Sequence, residues 1–257
     1  MKLRNIAHEI GKLYSRNEKV SAVLLAGSVS RGWEDGHSDI ELHVIWNQSP
    51  SSEDRMEVIR RVNGVLKSFY PYEDEEWSET YWYNGVKMEI SNFLCQTIDK
   101  TIDRVTKEYS TNLEDQCLVA AVHDGIPLHG NEKISQFKHK TAVYPDGLKR
   151  AMLTENMELG SRWDSRVALQ SRGDYLMLYD LMAAVEKKVM AQLFAHNKLY
   201  VHHPAFKWQR KSLEQMSRVP EGIGRRLEQV FISDVESGLR ELETIVGEVE
   251  QLVIADL

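Results

Sequence analysis

The sequence predicts an α+β fold: a mixed sheet with flanking helices at the N-terminus, followed by a helical bundle. Three observations predict it. Short apolar runs and alternating runs are interleaved with helical spacing up to about residue 95. Helical spacing takes over after that point. Hydrophobic residues make up 42% of the 257 and charged residues 28%, a globular composition rather than a disordered one. At roughly 150 residues per domain this length suits one large domain or two small ones, and the change of pattern favours two. The boundary lies within residues 95–140 and is placed here as 1–130 and 131–257.

Each element has its own signal. Leu3, Ile6, Ala7, Ile10 and Leu13 recur at spacings of three and four, which predicts an amphipathic helix over residues 3–17. Val20 to Ala26 is a continuous apolar run stopped by Gly27-Ser28, the pattern of a buried strand. Residues 32–36 read as loop. From Asp39 to Trp46, apolar Ile40, Leu42 and Val44 alternate with Asp39, Glu41 and His43, as in a half-buried strand. Ser51 or Ser52 caps a helix expected to run to about Phe69, with Met56, Ile59, Val62 and Leu66 inward. Trp77–Tyr83 and Val86–Leu94 read as strands joined at Asn84-Gly85, a hairpin signal. Tyr175–Phe194 reads as a central bundle helix, apolar on nearly every side in its first half. Val235, Leu239, Leu242, Val246, Val249 and Val253 mark a terminal bundle helix.

Composition excludes several classes. The net charge of -7 argues against a nucleic-acid partner and suits a chain that binds cations. Cys95 and Cys117 make no disulfide framework and suit a reducing cytoplasm. No apolar segment has the length of a bilayer span, so no membrane association is expected. The nine histidines show no zinc spacing. His202-His203 read as turn residues, and His43 as structural.

The chemistry concentrates between residues 25 and 45. A strand ends at Gly27, where the missing side chain lets an anion approach the backbone. Ser28 adds a hydroxyl and backbone N–H groups at a place that suits phosphate. Arg31 adds a planar cation, unless Glu34 or Asp35 takes it. Asp39 and Glu41, two apart on a strand, point the same way. Two carboxylates so close call for a cation, and a hard divalent ion is the simplest one. Glu89, between Met88 and Ile90, completes a three-carboxylate cluster if its strand lies beside that of Asp39. Lys207 is a candidate for reaching a triphosphate from the second domain; Lys187 and Lys188 are weaker ones. Trp77, Tyr81, Trp82 and Tyr83 read as strand packing, with one ring available to line an acceptor pocket.

Gly27-Ser28, ten intervening residues, then Asp39-x-Glu41 resembles the DNA polymerase β-type nucleotidyltransferase superfamily. Arg31-Gly32 and Ser38 match its smaller bacterial members. Length and the helical second half make the chain most similar to the lincosamide and aminoglycoside antibiotic nucleotidyltransferases. The motif covers residues 23–45; over the C-terminal half the likeness is architectural. The resemblance implies that ATP binds along Gly27, Ser28, Arg31 and Lys207. It implies two Mg²⁺ ions held by Asp39, Glu41 and Glu89, with Glu89 as a metal ligand or the general base. AMP then passes to a hydroxyl of a small acceptor, an antibiotic, with release of pyrophosphate. The bundle chooses the acceptor, and the protein is a monomer or homodimer. Two rivals stand beside this reading. One is nucleotidyl modification of a protein or RNA, as in toxin–antitoxin systems; the other is a non-catalytic nucleotide-binding module.

Overall fold

The computed structural model describes residues 2–257. It divides into two compact units, one of residues 2–107 with Leu118–Val143, the other of Glu108–Cys117 with Tyr144–Leu257.

The first unit begins with α1 (Lys2–Tyr14), β1 (Val20–Leu25), the five-residue α2 (Gly27–Arg31), β2 (Ile40–Trp46) and α3 (Ser52–Arg61). It continues through β3 (Val65–Phe69), β4 (Trp77–Tyr83), β5 (Val86–Leu94) and α4 (Cys95–Thr106). Then come α5 (Leu113–Asp124), inside which the division falls, β6 (Ile126–His129) and α6 (Asn131–Thr141). The six strands form one mixed sheet in the order β3-β4-β5-β2-β1-β6. Only β2 and β5 run parallel; the other neighbours are antiparallel.

Alternation assigns the two faces. Val23, Leu25, Ile40, Leu42, Val44, Met88 and Ile90 point into one core, closed by Ile6, Ala7 and Ile10 of α1 and Val58 and Ile59 of α3. The opposite face carries Leu24, its cross-strand partner His43, and the acidic residues. The hairpin forms where Asn84-Gly85 predicts it, with φ of 50° and 76° at the two turn residues and Tyr83 opposite Val86. Those left-handed angles match the twist of the strands.

The helix predicted to reach Phe69 stops at Arg61, and residues 65–69 are a strand instead. Asn63 takes a φ of 50°, which breaks helical propagation. Gly64 then lies against the ring of Tyr81, where an added Cβ would be 2.9 Å from Cδ2. The chain leaves as β3 and pairs with β4, which puts Leu66 opposite Tyr81 in register. The cap itself is Ser51, closed as a box with Asp54. Strand β6 was not predicted; its four residues are too few to show a period.

Beneath the sheet lies a buried polar network. The Glu79 carboxylate accepts from Asn92 Nδ2 at 3.0 Å through both oxygens, and Arg55 Nη1 stands 3.4 Å away. Asn92 in turn accepts from Trp46 Nε1 at 2.9 Å. Burial raises the Glu79 carboxyl to about 7; Asn92, Arg55 and Tyr14 oppose the shift without cancelling it. The folded chain therefore keeps a proton that the unfolded chain releases above its ordinary value of 4.5. The unfolded state binds fewer protons in that window, so Glu79 subtracts stability as pH rises from 4.5 to about 7. Denaturation of wild type and Glu79→Gln at both ends of the window is expected to show it. The wild-type stability should fall relative to the variant by on the order of 2–3 kcal/mol. Parallel pH curves would assign the slope to other groups.

The second unit holds α7 (Asp146–Met157), α8 (Ser161–Asp164), α9 (Arg166–Arg172) and α10 (Tyr175–His196). After these come α11 (Gln209–Glu214), α12 (Ile223–Ile232), α13 (Val235–Val253) and a short 3₁₀ turn (Ile254–Asp256). The helix α10 differs from its prediction. Its first half exposes Tyr175, Leu176, Met177 and Tyr179, while Val189–His196 is buried on all sides. The terminal repeat packs as a bundle helix, with Asp234 accepting from Ser237 N as its N-cap. No helix among the described residues is long and apolar enough to cross a membrane.

Candidate active site

The parallel pairing of β2 with β5 builds the site. Glu41 and Glu89 are direct partners in that register, and Ile40 pairs with Met88. Partners in register share a face, so Asp39, Glu41, Lys87 and Glu89 all project from the side opposite the α1/α3 core. The condition set by the sequence, that the Glu89 strand lie beside the Asp39 strand, is met. Thr80 and Trp82 of β4 stand opposite Glu89 and Lys87 and continue this face outward.

Lys87 was not read from the sequence as a site residue. Its Nζ donates to Asp39 Oδ2 at 3.3 Å and to Glu89 Oε1, so an internal ammonium bridges two of the three acids. The Glu89 carboxylate, more than Asp39, holds the ammonium above its ordinary pKa, against a smaller opposing effect of burial. The signal for Lys87 was present: Lys87-x-Glu89 repeats the spacing of Asp39-x-Glu41. It has meaning only once the parallel register is known.

Glu41 turns the other way along the face, toward Gly27. A Cβ built on Gly27 would fall 2.2 Å from Glu41 Oε1 and 2.4 Å from its Cδ, and Gly27 has a φ of +65°. The close approach that glycine permits is thus used by the chain's own carboxylate. Ser28 follows, 6% exposed, in the first turn of α2. Gly27→Ala is expected to destabilise the protein by about 1–3 kcal/mol through the left-handed backbone alone, and to displace Glu41 as well. Chemical denaturation checks the first effect, and a crystal structure of the variant the second.

The other sequence candidates lie as follows. Arg31 donates from Nε to Asp124 Oδ2 at 2.8 Å and stacks over Trp33. Its charge is matched by a residue 93 positions away. His43 packs edge-on against Phe93 at 5.3 Å. Burial, aided by the charge of Arg31, lowers its pKa to about 4, so it is neutral at pH 7. Lys207 belongs to the second unit, on an exposed turn before α11. Lys188 donates to the Glu158 carbonyl at 2.8 Å. Cys95 and Cys117 are both free thiols.

Three carboxylates on one face are donors of the kind a hard divalent cation takes. The Lys87 ammonium supplies positive charge there, bridging an oxygen of Asp39 and one of Glu89. As the side chains stand, no three His, Cys, Asp or Glu residues among the described residues are gathered to hold a metal ion. The donor set fits a metal in kind, and its present spacing is that of a lysine-bridged pair plus Glu41 on Gly27.

Comparison with known proteins gives a family likeness and likenesses to solved structures. The family model described as a domain of unknown function (DUF4037) matches residues 111–209, a stretch that includes none of the acidic-face residues. A nucleotidyltransferase-like protein from Exiguobacterium sibiricum 255-15 has a similar structure, with 14% identity and a TM-score of 0.45. That alignment covers 98% of this chain and 76% of the other. No curated protein matches the chain.

Proposed function

We propose that the chain is a nucleotidyltransferase whose reacting groups lie on the acidic face of β2 and β5. One observation carries the reading: parallel register pairs Glu41 directly with Glu89, and Asp39, one residue before β2, shares the Lys87 ammonium with Glu89. The Gly27-Ser28 turn stands at the end of the adjoining strand. Nucleoside triphosphate, ATP in this reading, lies with its phosphates along Ser28 and α2, where Arg31 is the nearest cation in sequence. Divalent ions such as Mg²⁺ would be held by Asp39, Glu41 and Glu89; when bound they neutralise phosphate charge and stabilise attacking and leaving oxygens. Asp39 and Glu41 fix the donor side. Glu89, its side chain 42% exposed against 17% for Asp39, would take the proton from an acceptor hydroxyl. That hydroxyl attacks the α-phosphorus, the bond to the bridging oxygen breaks, and pyrophosphate leaves. Positioning of the two reactants supplies much of the rest.

The acceptor in this reading is a small hydroxylated molecule, an aminoglycoside or lincosamide antibiotic. The chain length and helical second half, which resemble those enzymes, support it, and the free thiols are consistent with a reducing cytoplasm. The test is incubation of the purified protein with Mg²⁺, α-labelled ATP and a panel of acceptors. Label on an antibiotic supports the full reading. Label on protein or RNA in a cell extract keeps the chemistry and changes the acceptor. No transfer, with no metal-dependent nucleotide binding, overturns it. A second reading, a nucleotide-binding module without turnover, is favoured by the Lys87 bridge between Asp39 and Glu89. Nucleotide binding without transfer would select it.

A further inference from the structure

Adjacent carboxylates on one sheet face repel unless a cation lies between them. Here the chain supplies that cation itself. Lys87 lies two residues before Glu89, so both side chains leave β5 on the same side. One step beyond the Ile40–Met88 pair, the parallel register brings Asp39 abreast of Lys87. The ammonium therefore reaches both acids, one along its own strand and one across. The bridge is not sealed: Lys87 is 28% exposed, and Asp39 17%. A solvent ion can reach those oxygens, and the ammonium can leave them.

We propose that Lys87 gates the acidic face: its ammonium holds Asp39 and Glu89 together while the site is empty and withdraws when a divalent cation takes their oxygens. The inference rests on the reading of this face as a metal–nucleotide site. Lysine suits the part because it is a compact point charge on a flexible four-carbon stem. An arginine there would lock onto a carboxylate as a planar fork. Metal and ammonium compete for Asp39 and Glu89, and Glu41, seated over Gly27, would join them as a ligand of the metal. The cell's free divalent ion then sets how much of the protein has an open face, before any acceptor arrives. Lys87 is a positioning residue in this account, acting on the acids rather than on the reacting atoms.

The experiment titrates the full chain with Mn²⁺ and reads the free ion by electron paramagnetic resonance. Lys87→Met should bind Mn²⁺ about tenfold more tightly than wild type, since two partly exposed ion pairs no longer oppose the metal. Lys87→Gln, which can still donate to an acid but carries no charge, should gain several-fold and guards against a folding defect in the methionine variant. Lys87→Arg should bind no more tightly than wild type. If both neutral variants bind Mn²⁺ no better than wild type, while Asp39→Asn weakens binding, the face is a metal site and Lys87 is no gate. If neither wild type nor the neutral variants bind Mn²⁺, the gate falls together with the functional reading.

Discussion

Replacing Arg55 with alanine is expected to destabilise the protein at pH 8 by about 3–5 kcal/mol, the usual loss when one partner of a buried ion pair is removed. Arg55 is 1% exposed. Its guanidinium donates to the Tyr70 carbonyl at 2.8 Å, stands 3.4 Å from Glu79 Oε2 and stacks over Phe69 at 3.7 Å. Without it, Glu79 keeps Asn92 and Tyr14 as hydrogen-bond partners but loses its counter-charge. The loss should shrink at pH 5, where a carboxyl raised to about 7 is protonated and needs no cation. What remains there is the stacking on Phe69 and the Tyr70 hydrogen bond. Denaturant midpoints for wild type, Arg55→Ala, Glu79→Gln and the double variant at both pH values measure the coupling directly. A loss at pH 8 no larger than at pH 5 would mean that Glu79 does not need Arg55.

Asp39→Asn is expected to lower nucleotidyl transfer by about 10³-fold or more, since several kcal/mol of charge stabilisation is removed at once. The variant should fold normally. Asparagine has nearly the same shape, its amide oxygen can accept from Lys87 in place of Asp39 Oδ2, and Asp39 immediately precedes β2 rather than lying in the core below. Glu41→Gln should be similarly inactive, because Glu41 carries the second carboxylate of the pair. Initial rates with α-labelled ATP, with thermal melts as the folding control, check both. Transfer by Asp39→Asn within a few-fold of wild type would remove Asp39 from the chemistry.

Much of this site was legible because its signals are local. The alternation of Ile40, Leu42 and Val44 with Asp39, Glu41 and His43 marks a strand with an acidic face, and β2 is that strand. Asn84-Gly85 allows few backbones other than a tight hairpin, and that hairpin puts β5 in place. The pairing of Glu41 with Glu89 was foreseeable only as a condition, because parallel partners are far apart in the sequence. The contacts of Lys87 were hidden for the same reason. Asp124, which holds Arg31, lies on a helix that carries no marker for the role. The end of α3 was misread because Val62 and Leu66 continue the helical spacing past Asn63 and Gly64. There the backbone angle at Asn63 and the pairing of β3 with β4 outweigh periodicity. In α10 the apolar count was right and its distribution wrong: which turns are enclosed depends on neighbours that spacing does not reveal.

A crystal grown with Mn²⁺ and a non-hydrolysable ATP analogue, measured at a wavelength where manganese scatters anomalously, tests the whole account in one experiment. The expected map has an anomalous peak ligated by Asp39, Glu41, Glu89 and phosphate oxygens, with the Lys87 ammonium drawn away from Asp39 and Glu89. A map with no peak on this face, and with Lys87 still joining Asp39 to Glu89 beside a nucleotide bound elsewhere, would contradict it.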